Sequence, residues 1–256
     1  MITKEKLDFG ISYAEKQMAK EKNPILLNLL KNNSTNKKVK ILDVGCGFGG
    51  HSMWYSQFDN CEVYGLDVDA NHIEVAKNLK LKYKKDNVTF EKRNILDEPL
   101  KKDELFDLVT FNDVIEHIPI SVLIAILSQV SKHLTPNGKI YFGYPPWESP
   151  YAAHVYRAVK IPWIQYLPEK LILKLIEKNN QEIVGEIESD LIQAYKGLNK
   201  INHKQIMTIT NELNLTPSVR KSHCKLNRFS LLKNINFSFF PFRYLITYEI
   251  LVLKNK

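Results

Sequence analysis

Only three cysteines occur in 256 residues, Cys46, Cys61 and Cys224. An odd and irregularly spaced set gives neither a disulfide framework nor a zinc pattern, and it points to a reducing compartment. No run approaches the roughly 20 apolar residues that a membrane-spanning helix needs. The first residues, Met1-Ile2-Thr3-Lys4-Glu5-Lys6, lack the apolar stretch of a secretory leader. Internal repeats and low-complexity domains are absent, which excludes solenoid architectures. These absences predict a soluble, cytoplasmic protein without a membrane span. Acidic residues are nearly missing from one end: residues 218–256 carry eight Lys/Arg against Glu249 alone, whereas residues 1–217 carry 28 against 27. Almost all of the net charge of +8 therefore lies in the last 39 residues. That segment reads either as a solvated basic tail or as a surface facing the phosphates of an anionic partner.

What is present has the makings of a single α/β domain. Hydrophobic content of 44% and charged content of 25% are those of a globular chain, and the length suits one domain with insertions. Residues 3–31 predict one or two helices divided at Pro24, and Asn32 to Lys38 a polar loop. Strand and helix patterns then alternate. Strands are predicted at Val39–Val44, Cys61–Leu66, Val88–Lys92, Phe106–Phe111 and Lys139–Tyr144, and helices near 50–58, 70–84 and 121–134, with Pro136-Asn137-Gly138 as a turn. Strands spaced by helices imply right-handed crossovers and a mostly parallel sheet covered on both faces. Beyond Pro145 the rhythm changes to aromatics and prolines, with helices predicted near 168–178 and 203–214 and strands near 215–223 and Tyr244–Leu253. The division expected is an N-terminal helical segment (1–38), a core (39–144), an insertion (145–202) and a C-terminal helix with two strands (203–256).

The run Asp43-Val44-Gly45-Cys46-Gly47-Phe48-Gly49-Gly50 closes the first strand at the sheet edge where open α/β folds bind ligands. Glycines allow the sharp turn and the close approach of backbone to ligand. Gly45, Gly47 and Gly50 also satisfy Gly-x-Gly-x-x-Gly, so a dinucleotide reading has to be weighed. Asp43, two residues before the first glycine, separates the two readings. A carboxylate there favours a zwitterion bearing an ammonium and a sulfonium over a pyrophosphate. Asp67 ends the second strand, placed for bidentate hydrogen bonds to ribose hydroxyls in either case.

With those residues in place, residues 39–144 resemble the class I S-adenosylmethionine-dependent methyltransferases. The resemblance implies a Rossmann-like sheet of seven strands, mostly parallel with the last antiparallel, helices on both faces and a lid insertion after strand five. It implies that Asp43, Gly45, Cys46, Gly47 and Gly49 cradle the methionine part of S-adenosylmethionine, that Asp67 holds the ribose and that Val68 lies beside the adenine. Arg93-Asn94-Ile95-Leu96-Asp97 is similar to the adenine-reading segment, with Asn94 where the family usually has Asp and Ile95 beside it. Phe106 to Ile118 resembles the fourth strand and its loop, where Asn112 and Val114 line the cofactor. Leu134 to Lys139 resembles the turn before the fifth strand.

The acceptor should be met by the loop Asn112–His117 and by the insertion after Tyr144. Tyr144-Pro145-Pro146-Trp147 mimics the box of amino methyltransferases, but that box follows strand four, so the amino reading is rejected. Tyr144, Trp147, Glu148, Tyr151 and Trp163 are the expected substrate contacts, in an aromatic lid looking like those of small-molecule methyltransferases from surface-polysaccharide and natural-product pathways. His154 is the first candidate for general base and His117 the second, since a neutral imidazole suits deprotonation of a hydroxyl. No metal is expected: His203 and His223 have no ligand-like spacing. The apolar run from Leu171 to Ile176, interleaved with Lys170, Lys174 and Lys178, reads as a lid or dimer helix before a membrane-touching one, and a homodimer is compatible with it.

The leading expectation is O-methylation of a small, anionic or sugar-like acceptor, with nucleic acid disfavoured. An RNA methyltransferase, a catalytically silent cofactor-binding subunit and a dehydrogenase are the competing readings.

Overall fold

The computed structural model describes residues 2–21, 23–31, 38–179, 191–233, 235–237 and 239–256. Most of the loop predicted at Asn32–Lys38, and residues 180–190 of the insertion, lie outside the described residues.

Helices α1 (Lys4–Lys20) and α2 (Pro24–Lys31) divide at Pro24, as its missing N–H requires. The strands are β1 (Val39–Val44), β2 (Cys61–Asp67), β3 (Val88–Lys92), β4 (Phe106–Asn112), β5 (Leu134–Tyr144), β6 (Leu215–Cys224) and β7 (Ile246–Asn255). They form one sheet in the order β3-β2-β1-β4-β5-β7-β6. β1 runs parallel to β2 and to β4, and β2 parallel to β3. β7 runs against the others. Its side-chain bonds to β6 step in opposite senses along the two strands: Thr216 to the Lys254 carbonyl, Ser218 to that of Val252, and Thr247 to that of His223. The strand order reverses at β1 and β4, whose carboxyl ends are where ligands bind in such sheets.

Helices α3 (Gly50–Tyr55), α4 (Ala70–Tyr83) and α5 (Ile120–Lys132) occupy the predicted places. α3 is shorter than its pattern, because Gln57 and Phe58 donate to the carbonyls of Trp54 and Tyr55 and tighten the last turn. β5 is longer than its pattern. Pro136-Asn137-Gly138, predicted as a turn, lies within the strand. A Cβ on Gly138 would stand 2.8 Å from the Phe106 carbonyl oxygen, and the missing side chain lets the backbone pass there.

By its contacts the chain divides into two compact units. One comprises residues 1–112, 125–141 and 255. Its centre is β1, where Val39, Ile41, Leu42 and Val44 are all buried, as expected of a parallel strand covered on both faces. The other comprises residues 113–124, 142–254 and 256. Here the insertion builds its own core from Ala153, Val155, Val159, Ile164, Ile172, Ile176, Leu191, Tyr195 and Leu198. Ile172 and Ile176 of α6 (Glu169–Asn179) are fully buried in it, so the apolar run of this helix is largely spent on internal packing. Among the described residues, no helix is long and apolar enough to cross a membrane. Helices α7 (Leu191–Lys196) and α8 (His203–Glu212) complete this unit, α8 beginning with a capping box between Asn202 and Gln205.

Candidate active site

The glycine turn is held by left-handed backbone at Gly45, Gly47 and Gly49, with φ of 68°, 53° and 81°. The N–H groups of Gly45 and Cys46 both donate to the Leu66 carbonyl, which pins the turn to the end of β2. Gly47 and Gly49 then differ. A Cβ on Gly47 would meet nothing within 4 Å, so the turn opens there onto space that a ligand can fill. A Cβ on Gly49 would stand 2.8 Å from Phe90 and 2.9 Å from Ala76, so that glycine is needed for packing.

Asp67 ends β2 with its carboxylate already engaged. Oδ2 accepts the Gly47 N–H at 2.8 Å, Oδ1 accepts that of Asp69 at 2.9 Å, and His72 Nδ1 lies 3.4 Å from Oδ1. Burial opposes its charge, but His72 and the two N–H donors outweigh burial and hold its carboxyl below the usual range. Val68 beside it is 65% exposed, an apolar side chain standing at the strand's carboxyl end. Open space at Gly47, an ionised carboxylate and an uncovered Val68 fit a nucleoside cofactor.

Asp43 is 1% exposed, and its oxygens face inward. Ser52 Oγ donates to it at 2.6 Å, Thr110 Oγ1 at 2.8 Å and Asn112 Nδ2 at 3.4 Å. Burial pushes its carboxyl up, against the lowering effects of His51 and these donors. Asp43 therefore braces β1, α3 and β4 from within. Asn112 also donates to the Tyr55 hydroxyl at 3.1 Å. Asn94, read as an acceptor for adenine, spends its carbonyl on the Leu96 N–H at 3.1 Å and its amide on Asp97 at 2.7 Å, shaping its loop. Ile95 is buried and Cys46 is a buried free thiol.

The residues expected to form a lid divide into structural and accessible ones. Tyr144 corrects the sequence reading: it is fully buried and its hydroxyl donates to Glu249 at 3.3 Å, so it supports the strand and is shielded from any substrate. Trp147 packs against the insertion's core with Lys200 5.9 Å from its ring. Trp163 donates from Nε1 to the Tyr244 carbonyl at 3.0 Å and, with Tyr166 and Tyr244, lines an open depression of about 400 Å³. Tyr151 accepts from Lys225 Nζ at 3.2 Å and meets the Tyr156 ring at 4.6 Å. Glu148 has one shielded oxygen without a hydrogen-bond partner among the described residues. Gln165, unremarked in the sequence, ties the segment together by donating to the carbonyls of Trp147 and Ser149.

The second unit also gathers both candidate histidines. Glu116 and His117 form a one-turn helix, Ile115–His117, and Val114 sits at its start. His154 Nε2 lies 3.8 Å from Glu116 Oε1, and the His117 and His154 rings are 5.0 Å apart. Glu116 is 4% exposed, and among the described residues neither of its oxygens has a hydrogen-bond partner beyond its own backbone. Burial pushes its carboxyl well up, reinforced by Asp113. Burial, and then His117, pull the His154 imidazole down to about 4. That corrects the reason for choosing His154: it is neutral at pH 7, but it holds an abstracted proton poorly. The backbone at His154 is left-handed, with φ of 56°.

Sequence reasoning missed Asn199, which has no motif around it. Its Nδ2 donates to the carbonyls of Ile115 at 2.6 Å and Ile118 at 2.7 Å, and its N–H to that of Glu116 at 2.9 Å. It also missed Glu249, wholly buried in β7, which His203 Nδ1 approaches at 2.8 Å and Arg220 Nε at 3.2 Å. His203 is thus committed to an internal pair.

A glycine turn at a switch point, a carboxylate at the end of the next strand and a reversed last strand define the class I S-adenosylmethionine-dependent methyltransferase architecture. The family model described as "Methyltransferase domain" matches residues 35–211, and the chain belongs to that family. Its cofactor is S-adenosylmethionine. Over 113 residues the chain is 34% identical to a sterol 24-C-methyltransferase of Debaryomyces hansenii, covering 44% of this chain and 29% of that one. Over 121 residues it is 31% identical to a ubiquinone biosynthesis O-methyltransferase of Coxiella burnetii, covering 47% and 49%. The matches thus span half or less of these curated relatives. In structure the chain is similar to the PH0226 protein of Pyrococcus horikoshii OT3, with TM-score 0.56 and 18% identity over 96% of this chain and 91% of that one. It is also similar to geranyl diphosphate C-methyltransferase from Streptomyces coelicolor A3(2), with TM-score 0.57 and 16% identity over 91% and 74%. These likenesses concern the fold.

Proposed function

We propose that the protein methylates an oxygen of a small molecule, using S-adenosylmethionine. The cofactor brings a methyl group already activated on a positively charged sulfur, so the chain's task is alignment and removal of the acceptor's proton. The observation that carries the reading is the cluster of Glu116, His117 and His154, reached four residues after β4 ends at Asn112. A hydroxyl is a poor nucleophile until its proton is drawn off, and the exposed His117 beside Glu116 can take it, whereas His154 holds a proton poorly. A carbon nucleophile with its own electron pair needs none of it beforehand. Asp67 and the turn at Gly45–Gly49 would hold the cofactor, and Asp43 would keep that turn in shape.

The acceptor proposed first is a sugar, a nucleotide-linked sugar or another phosphorylated metabolite of surface-polysaccharide biosynthesis. The aromatic insertion and the basic residues near it support this; Lys225 stands against Tyr151 and Lys200 against Trp147. A second reading, a prenyl-tailed or sterol-like acceptor, is favoured by the exposed Phe229, Leu231, Phe239 and Phe240 between β6 and β7, and by the names of the relatives. One experiment separates them. The purified chain is given S-adenosylmethionine carrying a ¹³C-methyl with hydroxylated sugars, nucleotide sugars, prenyl diphosphates and RNA, and the product methyl is located by NMR. A methyl ether on a sugar-type acceptor is expected. A carbon-bound methyl, or turnover on RNA alone, would overturn the oxygen reading.

A further inference from the structure

We propose that Glu116, His117 and His154 form a binding site for a single divalent transition-metal ion of the zinc class. The inference deepens the proposed oxygen acceptor, and its role in catalysis rests on that reading; the binding site itself does not.

The geometry carries it. One ligand atom from each of the three side chains lies within 4.8 Å of the other two. Ligands at about 2.1 Å around a tetrahedral ion stand roughly 3.4 Å from one another. Glu116 Oε1 and His154 Nε2 are 3.8 Å apart, too far for a hydrogen bond and within half an ångström of the separation a shared ion imposes. Small side-chain rotations bring the third donor in, because His117 is exposed and half-buried His154 sits on a short turn.

Glu116 supplies the second observation. A carboxylate almost wholly removed from water normally collects donors around both oxygens. Among the described residues neither oxygen of this one has a hydrogen-bond partner beyond its own backbone, although two imidazoles stand beside it. A carboxyl so poorly served by donors gains a partner when a cation is brought to it. The surroundings are built to hold the arrangement. Asn199 grips the turn carrying Glu116 and His117 by both flanking carbonyls, from a segment more than 80 residues away. His154 is kept in left-handed backbone, and its N–H is tied to the Tyr151 carbonyl at 3.2 Å. A strained residue held by its neighbours is a common signature of a working site.

The donor set selects the ion. Two nitrogens and one carboxylate suit Zn²⁺, Co²⁺, Mn²⁺ or Fe²⁺, whereas Mg²⁺ and Ca²⁺ prefer all-oxygen shells. Three protein ligands leave a position open, as in catalytic rather than structural metal sites. A hydroxyl of the acceptor taking that position would be made more acidic by the ion. Its proton would leave to water, and the oxygen would remain bound and oriented for attack.

The test uses the untagged chain of 256 residues, stripped with a chelator and titrated with Zn²⁺ by calorimetry. In parallel, Co²⁺ is added and its visible ligand-field bands are recorded. One equivalent of each ion is expected, with Co²⁺ bands of four- or five-coordinate type and no sulfur charge-transfer band. Glu116→Gln and His154→Ala should each lower Zn²⁺ affinity at least tenfold. His154→Gln serves as the milder variant, and metal-free melting temperature together with S-adenosylhomocysteine binding checks that each variant folds. No stoichiometric ion in the wild type, or unchanged affinity in folded variants, would overturn the site. An ion bound without turnover on any hydroxyl would sink the acceptor reading and leave the site standing. Hydroxyl turnover in a chain that binds no ion would do the reverse.

Discussion

The carboxylate of Asp67 accepts the N–H of Gly47 at 2.8 Å, so the residue read as a ribose ligand also sets the apex of the glycine turn. The glycine turn and the end of β2 are therefore coupled through one side chain. Asp67→Ala should lower S-adenosylhomocysteine affinity by at least tenfold and cost about 1–3 kcal/mol of stability, since two N–H donors lose a charged acceptor. Calorimetry and urea unfolding read the two effects separately. The pH dependence has a definite sign. The folded carboxyl titrates below its ordinary value, so the stability it contributes is complete above that value and is lost as pH falls through the lower, folded one. The stability gap between wild type and Asp67→Asn should hold steady at neutral pH and close below about pH 4.

Gly47 and Gly49 predict different failures for the same substitution. Both have positive φ, so alanine costs about 1–2 kcal/mol of strain at either. At Gly47 the added methyl enters open space, so cofactor affinity should fall while stability falls little more than that strain. At Gly49 it meets Phe90 and Ala76 under 3 Å, adding about 1–3 kcal/mol of overpacking. Melting temperature should drop much further for Gly49→Ala, and cofactor affinity per folded molecule further for Gly47→Ala.

Asp43 should behave as a brace. Its removal leaves the buried hydroxyls of Ser52 and Thr110 without their acceptor, so Asp43→Ala should cost about 3 kcal/mol. Asp43→Asn keeps an acceptor oxygen and should cost about 1 kcal/mol, retaining most cofactor affinity. Denaturant unfolding beside calorimetry checks the pair. A folded Asp43→Asn that loses the cofactor would instead mark direct contact with the ammonium.

Glu249→Ala should be among the most damaging changes in the second unit. It would leave Arg220, His203 and the buried Tyr144 hydroxyl facing an empty place. With Arg220 and His203 each partly exposed, the loss should be about 2–3 kcal/mol, below that of a fully buried ion pair. Glu249→Gln should recover part of it, measured as the denaturation midpoint.

The sheet was legible in the sequence because each parallel strand is a short apolar run with its own punctuation, as Val39–Val44 is with Gly45 behind it. The glycine turn was legible because glycine is demanded by backbone conformation, which sequence records directly. β5 was misjudged at Pro136-Asn137-Gly138, since local turn chemistry there yields to tertiary pairing. Tyr144 was misjudged because an aromatic at a strand end carries no mark of which way it faces. Asn94 was read from its type, which does not show the two hydrogen bonds it makes within its own loop. The Glu116, His117 and His154 cluster was visible only in part. His117 and His154 are 37 positions apart in the chain, and no spacing rule joins residues that only the folded insertion brings together. Asn199 was invisible for the same reason.

Asn199 gives the sharpest test of whether that cluster works as a unit. Its amide holds the carbonyls on both sides of Glu116 and His117. Replacement by Asp keeps the size and removes both donors, so the turn should loosen while the surrounding core stays filled. Residues that orient metal ligands typically contribute 10–100-fold to metal affinity. Asn199→Asp should therefore weaken Zn²⁺ binding by about tenfold or more and lower turnover in step, with S-adenosylhomocysteine affinity nearly unchanged. Excess Zn²⁺ should restore part of the lost turnover, because the ligands remain and only their preorganisation is lost. A fall in cofactor affinity as large as the fall in metal affinity would mean that Asn199 supports the fold at large.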